Sequence, residues 1–189
     1  MGRIVFGIIL GLALVPLAVM AWFRWGHPPV AVADKPLPFE QQITSVPLNA
    51  RIQREMPKTM PPIQPDEQNL LAGAQIYRDQ CAACHGFRSN PSTFARHMFP
   101  SAPQLWENHG DGSVVGVSDD PPGETYWKVD NGIRLSGMPA FHDLLTETQI
   151  WQVSLLLANA DKPLPPEVLQ IVRGVQQAAT SPAPAAQKP

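Results

Sequence analysis

The sequence of 189 residues predicts an all-α fold, a small helical domain preceded by a separate apolar helix. Three observations carry this expectation. Ile4–Phe23 is a run of twenty residues without a charge. Segments beginning at Asp66, Gly123 and Thr146 carry apolar residues at helical spacing. No segment shows the alternation of a half-buried strand.

The prolines set the boundaries. There are 22 of them; nine fall between Gly26 and Asp66 and three in the last eight residues, while Glu67–Asp161 holds six. Proline continues neither a helix interior nor a central strand, so regular structure should concentrate in that last stretch. The length excludes a large two-domain enzyme. The expected division is an apolar anchor over 1–25, a proline-rich linker over 26–65, a helical domain over 66–174 and a disordered Ala/Pro tail over 175–189. A domain of this size buries a modest core and gains from a staple, a metal or a cofactor.

Ile4–Phe23 matches the roughly 20 apolar residues that cross a bilayer. Trp22, Phe23 and Trp25 fit an interfacial aromatic belt, and Pro16 is tolerated in a membrane helix. The run reads as a single membrane span through residues 4–23 with the remainder exported. The alternative is a cleaved signal, since Ala31-Val32-Ala33 fits an A-x-A site, but the run exceeds the usual apolar length of about 7–15 residues. In the linker, Leu48, Ile52 and Met56 at i, i+4, i+8 predict a short helix over Leu48–Met56.

The domain opens with Asp66 as a helix N-cap, followed by Leu70, Ala74, Tyr77 and Cys81 on one face. Phe87–Pro122 is irregular. Gly123–Asn131 is a second helix, stopped by Gly132. Thr146 and Gln149 form a capping box for a third over Thr146–Ala160, and a further short helix is open after Asp161. The net charge of −2 hides an asymmetry: Met1–Pro65 carries +3 and Asp66–Gly174 carries −6. An acidic domain disfavours nucleic acid and favours a basic docking partner.

Cys81-Ala-Ala-Cys84-His85 is the chemical motif. C-x-x-C-H is the attachment pattern of c-type haem. Residues i and i+3 share a helix face, so both sulfurs can reach one haem, and His85 follows as the proximal iron ligand. Three rival readings are a dithiol redox pair, which expects a βαβ context, a zinc site, which expects a second paired cluster, and a disulfide, which leaves His85 unexplained. A second axial ligand fits Met138 in Gly137-Met-Pro-Ala-Phe141, where Pro139 stiffens the loop. Met98, Met60 and His97 are the rivals, together with an open site.

With these residues in place, the sequence resembles a class I c-type cytochrome of the small membrane-anchored or exported monohaem type found in bacteria. The resemblance covers about Asp66–Ala160. It rests on Gly73 and Tyr77 leading into CAACH, Ala102-Pro103-Gln-Leu105, YWKVDNGIRLSGMPAF, and a terminal helix with Ile150-Trp151. It implies an all-α fold around one covalently bound haem c, with the first and last helices crossing near Gly73 and Tyr77. It also implies that the Pro103 carbonyl holds His85, and that Leu105, Tyr126, Trp127, Ile133 and Phe141 line the pocket. One departure is Leu156, where many relatives carry an aromatic. The function implied is one-electron transfer between redox protein partners at the periplasmic face, with no small-molecule substrate and no enzyme activity of its own. The alternatives are a permanent haem subunit of a dehydrogenase or oxidase complex, and a sensor with an open iron site.

Overall fold

The computed structural model describes residues 1–174, so the tail expected over 175–189 lies outside the described residues. The chain divides into two units, Met1–Thr44 and the part from Ser45 onward.

In the first unit, helix α1 spans Gly2–Trp25, 24 residues with none buried and with Pro16 inside it. At about 1.5 Å per residue that length covers roughly 36 Å, more than the hydrocarbon thickness of a bilayer. Among the described residues it is the one helix long and apolar enough to cross a membrane. The Asp34 carboxylate accepts the backbone N–H groups of Val30 and Ala31, each at 2.8 Å, and closes a turn over Ala31–Ala33.

Helix α2 spans Glu40–Glu55, longer than the helix expected over Leu48–Met56. Its extra turns come from local polar chemistry rather than from the apolar stripe. The Glu40 carboxylate accepts the Leu37 N–H at 2.7 Å, and the Thr44 hydroxyl donates to the Glu40 carbonyl at 3.0 Å. An acid at the first turn satisfies donors that a helix start leaves unpaired. In the second unit Ile52 of α2 is 1% exposed.

Further helices follow α2 in the second unit. Helix α3 (Glu67–Ile76) starts at Asp66, whose side chain accepts the Asn69 N–H at 2.9 Å. It runs through a π-helical turn, Tyr77–Cys81, into the short helix α4 (Ala82–His85). A π turn inserts one residue and re-aims the side chains that follow, and such turns are frequent at functional sites. Helix α5 is Pro122–Asn131, α6 is Glu147–Ala158 and α7 is Pro166–Val172. Phe87–Pro122 holds a 3-10 turn at Phe94–His97 and a hairpin of strands β1 (Asn108–His109) and β2 (Val114–Val115). Two-residue strands are too short to carry the alternating pattern that marks a strand in sequence. They pair antiparallel, Asn108 opposite Val115 and His109 opposite Val114.

The core forms where α3 crosses α6. Gly73 lies against the backbone of Gln152, and a Cβ there would stand 2.8 Å from the Gln152 carbonyl carbon. Leu156, the departure from the family pattern, is fully buried, and its Cβ would lie 3.3 Å from that same added atom. The crossing therefore closes over glycine and leucine without an aromatic at 156. Tyr126 of α5 stacks on Trp151 of α6 with ring centres 4.3 Å apart, and Val168 and Val172 of α7 are fully buried in the same core. The Thr146 hydroxyl accepts the Gln149 N–H at 3.3 Å while the Gln149 side chain accepts the Thr146 N–H at 2.8 Å, a reciprocal cap on α6. Thr146→Ala should lower unfolding free energy by about 1 kcal/mol. Urea denaturation followed by circular dichroism would measure it, and an unchanged midpoint would remove the cap from the account.

Candidate functional site

The site begins at the C-terminal end of the α3–α4 segment. Cys81 closes the π turn; Cys84 and His85 lie in the last turn of α4. The two cysteines are free thiols, both half-buried. Burial, and next the nearness of Cys84, push the Cys81 thiol up to about 12, so it is neutral at ordinary pH. The helix ends at Gly86, whose φ of +72° is a conformation that favours glycine. A side chain there would also run into Ser92 and Pro91.

His85 is held by one bond. Its Nδ1 lies 2.7 Å from the carbonyl oxygen of Pro103. A carbonyl only accepts, so Nδ1 must carry the proton. Burial disfavours the imidazolium and lowers the pKa of His85, with the Pro103 contact opposing in part. A neutral ring with its proton on Nδ1 presents the Nε2 lone pair to a metal.

Four further residues brace the backbone around this turn: Tyr77, Gln104, Leu105 and Arg88. The buried Tyr77 hydroxyl donates to the Gly86 carbonyl at 2.7 Å, and burial holds its phenol well above the usual range, which keeps it a donor. The Gln104 side chain is a clasp: Nε2 donates to the carbonyls of Cys84 (3.3 Å) and Ala102 (3.2 Å), and Oε1 accepts the Ser92 N–H at 2.6 Å. The Leu105 N–H donates to the His85 carbonyl at 3.3 Å. Finally, the Arg88 N–H donates to the Val172 carbonyl at 2.8 Å, and Gly174 lies against the Phe87 ring, so α7 supports the loop leaving the motif.

Met138 sits on a loop closed by its own hydrogen bonds. The Ile133 N–H donates to the Met138 carbonyl at 3.2 Å. The Ser136 hydroxyl donates to the Ile133 carbonyl at 2.7 Å and accepts the Met138 N–H at 3.1 Å. Gly132, at φ +65°, lies against the backbone of Pro139 and Ala140, where a Cβ would come 2.7 Å from the Pro139 carbonyl carbon. Leu135 at the tip takes φ 62° and is 83% exposed. Met138 itself is half-buried against the core.

Leu105 and Phe141 are buried, and Ile133 is half-buried. Trp127 is buried, but its indole N–H donates to the Glu55 carboxylate of α2 at 3.1 Å, and the Arg51 guanidinium lies 6.0 Å over its ring. Its polar edge is thus committed to α2. Among the rivals for an axial role, Met60 belongs to the segment ahead of α3, His97 is exposed, and Met98 packs its thioether methyl on Gly137. Sequence reasoning passed over Gln104, Trp106 and Ser92. Gln104 and Trp106 flank Leu105, but Gln104 meets Ser92 and Cys84 from 12 and 20 residues away, a pairing no local spacing marks. Trp106 is buried edge-on to Tyr77, ring centres 5.6 Å apart, and its Nε1 is the one buried side-chain polar atom without a hydrogen-bond partner among the described residues.

The donor set fits a covalently held haem. It has two thiols at i and i+3, a neutral imidazole with a free Nε2, a thioether on a stiff loop, and an unpartnered buried donor at Trp106 beside Leu105. Among the described residues no three His, Cys, Asp or Glu side chains gather as a metal cluster, so the four ligands of a structural zinc site are not assembled there. A helical fold ordered around this motif is similar to a class I c-type cytochrome domain, a kind of electron-transfer module. Residues 68–155, just under half of the chain, match the family model described as cytochrome c oxidase, cbb3-type, subunit III. The match runs from α3 into α6 and leaves α1, α2 and α7 outside it. Comparison with curated proteins and with solved structures gave no match.

Proposed function

We propose that the chain is a monohaem electron carrier, tethered by α1 to the periplasmic face of a bacterial membrane and passing single electrons between respiratory partners. The His85 geometry carries this reading: the Pro103 carbonyl fixes the proton on Nδ1 and leaves the Nε2 lone pair free to ligate iron. Cys81 and Cys84 would hold the haem by thioethers, and Met138 would be the sixth ligand. When bound, haem c supplies an iron that takes up and returns one electron. The protein's part is to keep both axial donors still, so that little rearranges when the charge changes. Gln104, Tyr77 and Leu105 do this on the His85 side, and the closed loop Ile133–Met138 does it on the other. Leu105, Ile133 and Phe141 supply apolar wall. Trp127 would add ring surface only, since its N–H is engaged by Glu55.

The proline-rich segment after α1 raises the effective concentration of the domain at the membrane. The acidic surface suits weak, salt-sensitive docking on a basic partner. A second reading, a permanent subunit of a respiratory complex, draws support from the description of the matching family. Release as a soluble periplasmic carrier, after cleavage beyond Ala33, is the alternative to a retained anchor.

An optical spectrum, a pyridine haemochrome assay and a redox titration of the detergent-extracted full chain test the proposal together. The expected result is one c-type haem per chain, six-coordinate, with a sulfur-to-iron absorption band. Met138→Ala should abolish that band, lower the reduction potential and admit carbon monoxide to the reduced protein. An unaltered spectrum in that variant would favour the open-site sensor. Co-purification of a fixed partner in mild detergent would favour the complex subunit.

A further inference from the structure

We propose that Met98 is a positioning residue for Met138, clamping the sixth-ligand loop from outside; this rests on Met138 being the ligand. The clamp is visible at Gly137. The thioether methyl of Met98 occupies the space a Cβ on Gly137 would take, with the Met98 sulfur 3.8 Å from that position. A side chain at 137 would have to displace that methyl, the flexible end of Met98. Within its own segment Met98 is the residue that turns inward, for His97, Phe99 and Pro100 are exposed while Met98 is half-buried.

The segment carrying Met98 is itself anchored to the His85 side. The Met98 N–H donates to the Ala95 carbonyl at 3.2 Å, and the Ala95 N–H donates to the Ser92 hydroxyl at 3.3 Å. The Ser92 hydroxyl donates in turn to the Ala83 carbonyl within the motif, and the Ser92 N–H donates to Gln104, which also holds Cys84. One bracket therefore runs from the motif through Ser92 and Ala95 to Met98, and from Met98 onto the residue before Met138. It ties the two axial donors into one frame. The internal bonds of the loop shape it; only a contact from another segment can set its distance from His85. A long, unbranched and polarisable side chain suits that contact.

The test uses the haem-loaded full chain. Imidazole competes for the sixth position of ferric iron, and its apparent affinity scales with the fraction of molecules in which Met138 is detached. Met98→Ala should raise that affinity by about tenfold and weaken the sulfur-to-iron band, and Met98→Leu should recover most of both. Gly137→Ala pushes on the same contact from the other side and should shift imidazole affinity in the same direction, which covers the case of a poorly folding Met98→Ala. If Met98→Ala lowers the melting temperature but leaves imidazole affinity and band unchanged, while Met138→Ala still loses the band, Met98 is only packing and the proposal fails alone. If Met98→Ala loses the band and Met138→Ala keeps it, Met98 is itself the ligand, and both this proposal and the Met138 assignment are overturned.

Discussion

A full-length chain carrying Cys81→Ala and Cys84→Ala together is expected to lose all covalently bound haem. These are the only two cysteines in the sequence, so no other residue can form a thioether. The peroxidase stain of the haem band on a denaturing gel should fall to background, while either single variant keeps one bond and part of the signal. The effect should reach the fold as well. A domain of about a hundred residues buries a smaller share of its surface on folding than a larger one and leans on whatever completes its core. Cys81 and Met138 are both half-buried and pack against that core. The double variant should therefore accumulate poorly and be cleared by proteolysis, while His85→Ala keeps covalent haem but loses the low-spin spectrum. Covalent haem surviving in the double variant would remove the motif from the account.

Gly73→Val should be the most damaging single substitution in the helical frame. Both non-hydrogen atoms closest to a Cβ on Gly73 belong to the backbone of Gln152, in the middle of α6, and the next is the Cβ of Leu156. Helix backbone cannot swing aside as a flexible side chain can, so α3 and α6 must separate or tilt. Overpacking of this kind costs about 3 kcal/mol. For a domain of this size that corresponds to a melting temperature lower by roughly 12–24 °C. The same crossing positions Tyr77 and, through the π turn, Cys81, so haem incorporation should fall along with stability. A valine variant melting within a few degrees of the parent would show that the helices do not approach at Gly73.

Much of the frame was readable residue by residue. Asp66 and the Thr146–Gln149 pair announce helix starts because a side-chain oxygen three residues before an unpaired N–H is a local arrangement. Gly132 announces a stop because a positive φ is a property of one residue. The CAACH motif could be read for the same reason, its chemistry lying within five consecutive positions. The start of α2 was missed because Glu40 and Thr44 act through hydrogen bonds to nearby backbone, which hydropathy spacing does not register. The π turn at Tyr77–Cys81 was missed because helical spacing alone does not distinguish a π turn from the α-helix on either side of it.

The composition and local pattern of this chain thus determined its class: an apolar helix, a helical domain and a motif suited to one haem. What folding alone decided was how distant residues meet. Gln104 grips Cys84, Met98 fills the place of a side chain on Gly137, Glu55 takes the N–H of Trp127, and α7 supports Arg88. None of these pairs is marked by spacing or propensity. Each exists because closing a long loop costs little more than closing a short one once the core has formed, so shape and unpaired polar groups, not proximity in sequence, choose the partner.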